Sequence, residues 1–330
     1  MSQQHEPKKK LTVFEPYQPL NQLGFLHTRW RGKVYPPFMD LNAISTLCDT
    51  WETDEHDIFI STHQKVGTHL TKKYVVEILR AAVPYPESHN MGSGDIGHGT
   101  VPWPEVIASQ HGIPHFRDFL EKTAGYPRPW YAHCFSDDMP AKRIHPKSKF
   151  IVCLRDPRGA AVSQYFFYRS HPLLDVSADM TMDEFVNIFV DGDLYFGDYH
   201  LHALNWIESS GKLIPRESLL FLRYEDLVER KMDVAKRIAR FLVPDIPISD
   251  EQFEAIILST GFDTMKQGIR ENPGSFHFNP ETFFRSGKTR DWEVQLSEKA
   301  IAAIDNKTRR LWGDDLVTPP LKGVQTLEND

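Results

Sequence analysis

Short continuous apolar runs alternate along this chain with stretches whose apolar residues recur about every fourth position. The first pair lies in IFISTHQKVGTHLTKKYVVEILRAAV, Ile58 to Val83. An apolar run is followed by a polar turn and then by Leu70, Tyr74, Ile78 and Ala82, four apart on one helical stripe. The second is KFIVCLRDPRGAAVSQYFFYRS. Here Phe150–Leu154 has the unbroken apolar character of a strand buried on both faces, Pro157 and Gly159 make the turn, and a helix follows through Tyr168. The third joins a strand at Leu219–Leu222 to a helix at Val228–Leu242. Repeated strand–turn–helix units predict an α/β fold, with a central parallel sheet flanked by helices and ligand-binding loops over the strand ends.

Capping boxes at Thr181–Glu184 and Ser249–Gln252 announce two more helices, because the paired side chains satisfy orphan backbone donors reciprocally. His89–Pro104 and Gln267–Arg290, rich in Gly, Pro, His, Asn and Phe, resist a regular assignment and read as long loops, either functional lids or disordered. No repeat or low-complexity linker divides the chain. It reads as one domain over 1–330, with its core at about 57–292 and a flexible tail over 1–20.

Composition narrows the partners. Asp and Glu outnumber Lys and Arg by 45 to 38 in 330 residues, which excludes a bulk electrostatic grip on nucleic acid and makes any anion site local. No apolar stretch reaches the ~18 residues of a membrane span. The basic run Lys8–Lys10 has no apolar segment after it, so it is not a secretory signal. Cys48, Cys134 and Cys153 have no metal-ligand spacing and read as reduced thiols, so a cytoplasmic protein is expected. No cluster of His, Cys or carboxylates predicts a metal.

The turn of the first unit, Thr62-His-Gln-Lys65-Val66-Gly67-Thr68, looks like a phosphate loop with its lysine misplaced. A triphosphate loop carries lysine directly after its last glycine, whereas here lysine precedes the glycine by two residues. Backbone N–H groups from Val66 through His69 to Leu70 open a helix at its positive end, an anion site whatever the lettering. The alternative for the stretch taken alone is an ordinary tight turn, with Gly67 supplying the backbone angle. Arg155, at the end of the second strand, offers a planar fork for phosphate oxygens, with Ser163 one to two turns into the next helix. Two anion sites at neighbouring strand ends imply one ligand with two separated phosphates.

Four motifs occur in order: Thr62-x-x-Lys65-x-Gly67-Thr68, Arg155-Asp-Pro with Val162-Ser163, Arg223-Tyr224-Glu225-Asp226-Leu227, and Phe284-Arg285-Ser286-Gly287 with Asp291-Trp292. Together they resemble the soluble sulfotransferases, whose donor is 3′-phosphoadenosine 5′-phosphosulfate (PAPS) and whose product is adenosine 3′,5′-bisphosphate (PAP). The resemblance implies the P-loop-like fold of that family. It assigns Lys65 and the following amides to the 5′-phosphate, and Arg155, Ser163, Arg285, Ser286 and Gly287 to the 3′-phosphate. Tyr224, Thr260 and Phe262 fall around the adenine, although Phe262 by itself reads as core. In YPRPWYAHCFSDDMP the resemblance makes His133 the catalytic base, and an imidazole titrating near neutral pH suits removal of a hydroxyl proton.

The chain also departs from the family. Leu70 replaces an adenine-stacking tryptophan, Tyr131 replaces the lysine before the histidine, and Ser286 and Arg290 replace a lysine and a glycine. The family's usual dimer motif is absent after Trp292, so a monomer, or a homodimer by another route, is expected. The expected reaction is sulfuryl transfer to a hydroxyl or amine of a small molecule. Asp191, Asp193 and Asp198 read either as a solvated turn or as an acidic pocket wall suited to a cationic acceptor such as a saxitoxin-type guanidinium alkaloid. A nucleotide-dependent kinase and a non-catalytic nucleotide-binding protein are the alternatives. His69 and His202 stand next as bases should His133 not serve.

Overall fold

The computed structural model describes residues 28–36, 38–87, 89, 91, 100–170, 177, 179–271, 279–321 and 324–327. The tail over 1–20, most of 89–104 and part of 267–290 lie outside them. A two-stranded antiparallel ribbon, β1 (Thr28–Trp30) and β2 (Lys33–Tyr35), precedes α1 (Leu41–Thr50). Then come β3 (Asp57–Thr62), α2 (Thr68–Ala82), α3 (Pro104–Lys122), β4 (Arg128–Ala132), β5 (Lys149–Leu154), α4 (Pro157–Ser170), α5 (Met182–Asp191) and α6 (Tyr199–Ser209). The rest is β6 (Leu219–Arg223), α7 (Tyr224–Glu229), α8 (Lys231–Leu242), α9 (Asp250–Ser259), α10 (Phe262–Glu271), α11 (Pro280–Phe283) and α12 (Glu298–Trp312).

The central sheet is parallel, in the order β4-β3-β5-β6. All six residues of β3 are buried, as are five of the six in β5, which explains their unbroken apolar runs. Phe59 and Phe150 stack across the β3–β5 pair with centroids 4.9 Å apart. The register places Thr62 opposite Cys153 and Leu154 opposite Arg223, so the strands end at one level. All four therefore hand the chain to the same edge: Lys65 follows β3, His133 follows β4, Arg155 follows β5 and Tyr224 follows β6. The sheet's other end is closed by a buried pair, in which Arg128 Nε and Trp130 Nε1 each donate to Asp57 Oδ1 at 2.7 Å.

The expected α/β class holds, with corrections in detail. β4 is a fourth strand that the periodicity missed. Pro129 breaks the apolar run, and a proline is tolerated there because β4 is an edge strand. Pro157 and Gly159 do not form a turn. Proline has no N–H to lose in a first helical turn, so α4 begins at Pro157 itself, and Gly159 leaves room for the Arg155 side chain, whose Nε would lie 3.1 Å from an added Cβ. The helix expected at Val228–Leu242 is divided at Arg230 into α7 and α8. The loop expected at Gln267–Arg290 includes the end of α10 and all of α11.

Both capping boxes form, with Thr181 accepting from Glu184 N and Ser249 from Gln252 N. Thr181→Ala is expected to destabilise the protein by ~1 kcal/mol, the usual cost of a lost N-cap. Denaturant unfolding checks this, with a lower midpoint at unchanged slope.

Candidate active site at the carboxyl ends of the strands

The β3–α2 loop is built for close approach. Lys65 and Gly67 both have left-handed backbone angles, φ 62° and 113°. A Cβ at residue 67 would lie 2.9 Å from the Tyr224 ring and 3.2 Å from Cys153 Sγ, so sterics as well as backbone angle demand glycine. Glycine brings no capping side chain, and the N-cap of α2 accordingly makes no side-chain hydrogen bond. The first intrahelical bond is Thr71 N to Gly67 O, and Thr68, His69 and Leu70, in the first turn of α2, line the cavity, so the positive end of the helix meets it. Val66 is fully buried beneath them.

The start of α4 is different. Asp156 accepts from Arg158 N and Nε at 2.9 Å each, so this helix end carries its own carboxylate. Arg158, and not the adjacent Arg155, pairs with Asp156. Arg155 instead lies over the Tyr224 ring at 4.1 Å and donates through Nη1 to Lys65 O at 3.0 Å. Its buried Nε has no hydrogen-bond partner among the described residues. Arg285 approaches from the other side, paired with Asp291 and lying over Phe166. Ser286 Oγ bonds the same carboxylate at 3.0 Å. Burial, then the charges of Arg155 and Arg285, depress Lys65 to about 7. Its Nζ rests 3.6 Å from the centre of the Phe283 ring. Three basic side chains crowd this space, with Asp291 paired to Arg285, an arrangement that an anion would relieve.

Around this space stand Ser163, Thr260, Phe262 and Leu70. Gly287 has φ 65°, and a Cβ there would lie 2.5 Å from the Phe262 ring, so backbone and ring are in direct contact. Where the sequence has lost a stacking tryptophan, Leu70 packs in a cluster with Met265, Ile269 and Phe284.

His133 follows edge strand β4. Its Nδ1 lies 2.6 Å from Thr62 O. A carbonyl can only accept, so Nδ1 carries the proton and Nε2 is the basic nitrogen. Thr62 also ties the histidine to the loop, its hydroxyl lying 2.7 Å from that of Thr68. The rings of Trp103 and Phe196, each 5.1 Å from His133, frame the imidazole. Tyr131 is in place of a lysine, yet a cation returns from α2, with Lys72 Nζ 4.4 Å from its ring centre.

The other histidines separate cleanly. His202 Nε2 and Trp206 Nε1 both donate to Cys134 O, at 3.0 and 3.2 Å, and so brace the residue after His133. His202 is buried outside the cavity lining, and burial lowers its basicity well below that of an ordinary histidine, which removes it as a base candidate. His63, bonded to Gly197 O and Gln164, is pushed down to about 4 by burial. His69 faces the cavity with its ring against Phe283.

The acidic-wall expectation fails. Asp193 pairs with Arg29, Asp198 caps α6 and pairs with Lys307, and Asp191 ends α5; none of them lines the cavity.

One cavity of about 830 Å³ joins these features, and every predicted site residue except the buried Val66 lines it. Lys231 and Lys288 line it too, although no motif marked them. Trp103 and Phe196, also missed, carry a signal visible only once β4 and its neighbours are packed.

Comparison with known proteins agrees with this layout. The profile of the sulfotransferase domain matches residues 55–315. Human sulfotransferase 6B1 is 26% identical over 289 residues, 86% of each chain, and rat sulfotransferase 1A1 is 29% identical over 242 residues, 72% of this chain and 78% of its own. Among solved structures, mouse sulfotransferase SULT7A1 complexed with PAP superposes with a TM-score of 0.68 at 22% identity, covering 88% of this chain and 95% of that one. A retinol dehydratase in complex with retinol and PAP gives 0.64 at 18%, covering 89% and 92%. With a family match over most of its length and the family's motifs gathered around one cavity, this chain is a divergent member of the sulfotransferases.

Proposed function

We propose that the protein transfers the sulfuryl group of PAPS to a hydroxyl of a small, largely apolar acceptor. The observation that carries this reading is the single cavity shared by the Lys65–Gly67 loop, the Arg155–Arg285 pair and His133. The donor residues fit: an uncapped helix start and Lys65 suit a 5′-phosphate, while the unpartnered Arg155 Nε suits a second phosphate. When bound, PAPS supplies an activated sulfuryl group. Lys65 and the α2 amides then neutralise charge growing on the leaving phosphate. His133 Nε2 accepts the acceptor's proton as its oxygen attacks. Phe38, Pro102, Trp103, Val106 and Ile107 exclude water from the acceptor side.

No carboxylate lines the cavity among the described residues. Glu105, buried next to Trp103, is pushed up to about 8 by burial, which favours its neutral form. These observations favour a neutral or anionic acceptor over a cationic alkaloid.

The test is a thermal-shift comparison of PAP, AMP and ATP, followed by transfer from labelled PAPS to a panel of alcohols, phenols and amines. PAP at a hundredfold excess over its Kd should stabilise by about 2.7 kcal/mol, and AMP and ATP at the same concentration by less. Equal stabilisation by ATP would favour a kinase. PAP binding without transfer to any member of the panel would favour a non-catalytic binding protein.

A further inference from the structure

Helix α3 carries a polar device at the acceptor end that the transfer chemistry does not use. Its cavity-facing residues begin at Trp103 and continue through Val106, Ile107, Gln110 and His111, one unbroken helical face. At 3.6 residues per turn that face would continue near residues 114 and 118. Instead Gly112 leaves the helical region (φ 83°, ψ 164°), Pro114 follows, and the face resumes about one residue later, at His115 and Phe119. The break turns the second half of α3 back onto the cavity. It also sets the His111 and His115 rings side by side, with centroids 5.1 Å apart.

Both imidazoles are exposed yet line the cavity, so they stand at its mouth. The distance they define follows from the helix. Trp103 touches His133, and His111 lies eight residues further along, or about 12 Å at 1.5 Å per residue. Between them the wall is apolar through Trp103, Val106 and Ile107, and Gln110 beside His111 begins the polar end. The cavity therefore has a base at one end, an apolar sleeve, and two hydrogen-bond-donating rings at the other. Cations dominate its remaining charge, and no carboxylate opposes them among the described lining residues.

We propose that the acceptor class is an elongated apolar hydroxy acid. Its hydroxyl would lie at His133 and its carboxylate at the mouth, recognised by His111 and His115. This rests on the sulfotransferase reading of the same cavity and names the substrate class within it.

The experiment compares 10-hydroxydecanoic acid with 1-decanol as acceptors at saturating PAPS, in wild type and in the His111→Leu/His115→Leu double variant. PAP affinity and thermal midpoint are measured alongside. The wild type should show a KM for the acid about tenfold or more below that for the alcohol, as expected for hydrogen bonds to a charged group. The double variant should lose this preference while kcat, PAP affinity and the midpoint stay unchanged. His111→Gln/His115→Gln, which keeps donors, should retain part of it. A wild type that prefers the alcohol, accepts both equally or accepts neither while binding PAP overturns the proposal but leaves the donor site standing. A preference that survives the double leucine variant overturns it as well. Failure to bind PAP at all overturns the sulfotransferase reading beneath it.

Discussion

Replacing His133 by alanine is expected to lower the rate of transfer by about 10²–10⁴-fold, the usual contribution of a positioned general base, with PAP affinity nearly unchanged. The geometry separates the two effects. His133 is fixed through Nδ1 to Thr62 O, and its ring is framed by Trp103 and Phe196 on the acceptor side. The proposed phosphate contacts come from the β3–α2 loop, Arg155 and Arg285. Single-turnover transfer at saturating PAPS and acceptor, followed across pH, isolates the chemical step. Only the neutral imidazole can accept a proton, so the wild-type rate should fall as pH drops through the histidine's titration, and the variant should lack that acid limb. A hydroxyl acceptor should show the full loss, whereas an amine that is already neutral should show less. Near-normal variant rates would remove His133 from this role and turn attention to His69, which faces the same cavity.

The division between what the sequence revealed and what it hid follows the range of the interactions. β3, β5 and β6 were legible because strands buried on both faces must be apolar throughout, and α5 and α9 because their caps are local chemistry. β4 was not, since Pro129 and Arg128 interrupt its pattern and its strand character comes from pairing with β3, a long-range contact. The anion residues could be found because phosphate recognition requires particular residue types at strand ends. Their mutual crowding could not, because Arg155, Arg285 and Lys65 are distant in sequence and meet only across the cavity. The aspartates of the 191–198 segment misled for the same reason: charge can be read locally, but the partners Arg29 and Lys307 are more than a hundred residues away. The break at Gly112 and Pro114 could be seen as letters, yet its effect on His115 required the path of the helix.

That crowding leads to a pH-dependence that no motif announces. Lys65 is depressed to about 7 by burial, then by Arg155 and Arg285. A bound 5′-phosphate would favour the charged lysine and raise its pKa. Binding of PAP should therefore take up as much as one proton once the pH exceeds about 7. The sign follows from linkage. Below about 7 the lysine is already charged in the free protein and affinity does not change through this group. Above it, affinity should weaken by up to ~10-fold per pH unit until the raised pKa of the complex is reached. Phosphate titration does not interfere, because its second ionisation near pH 6 lies below this window. Isothermal titration at pH 8 in buffers of different ionisation heat reads the proton uptake directly. Lys65→Met should remove the uptake and weaken binding most at pH 6.5, where the wild-type lysine is charged. Lys65→Arg, charged throughout, should also remove the uptake but retain more affinity. Wild-type binding with no proton uptake at pH 8 would mean that Lys65 does not meet the phosphate as a neutral amine, and the crowding argument would fall with it.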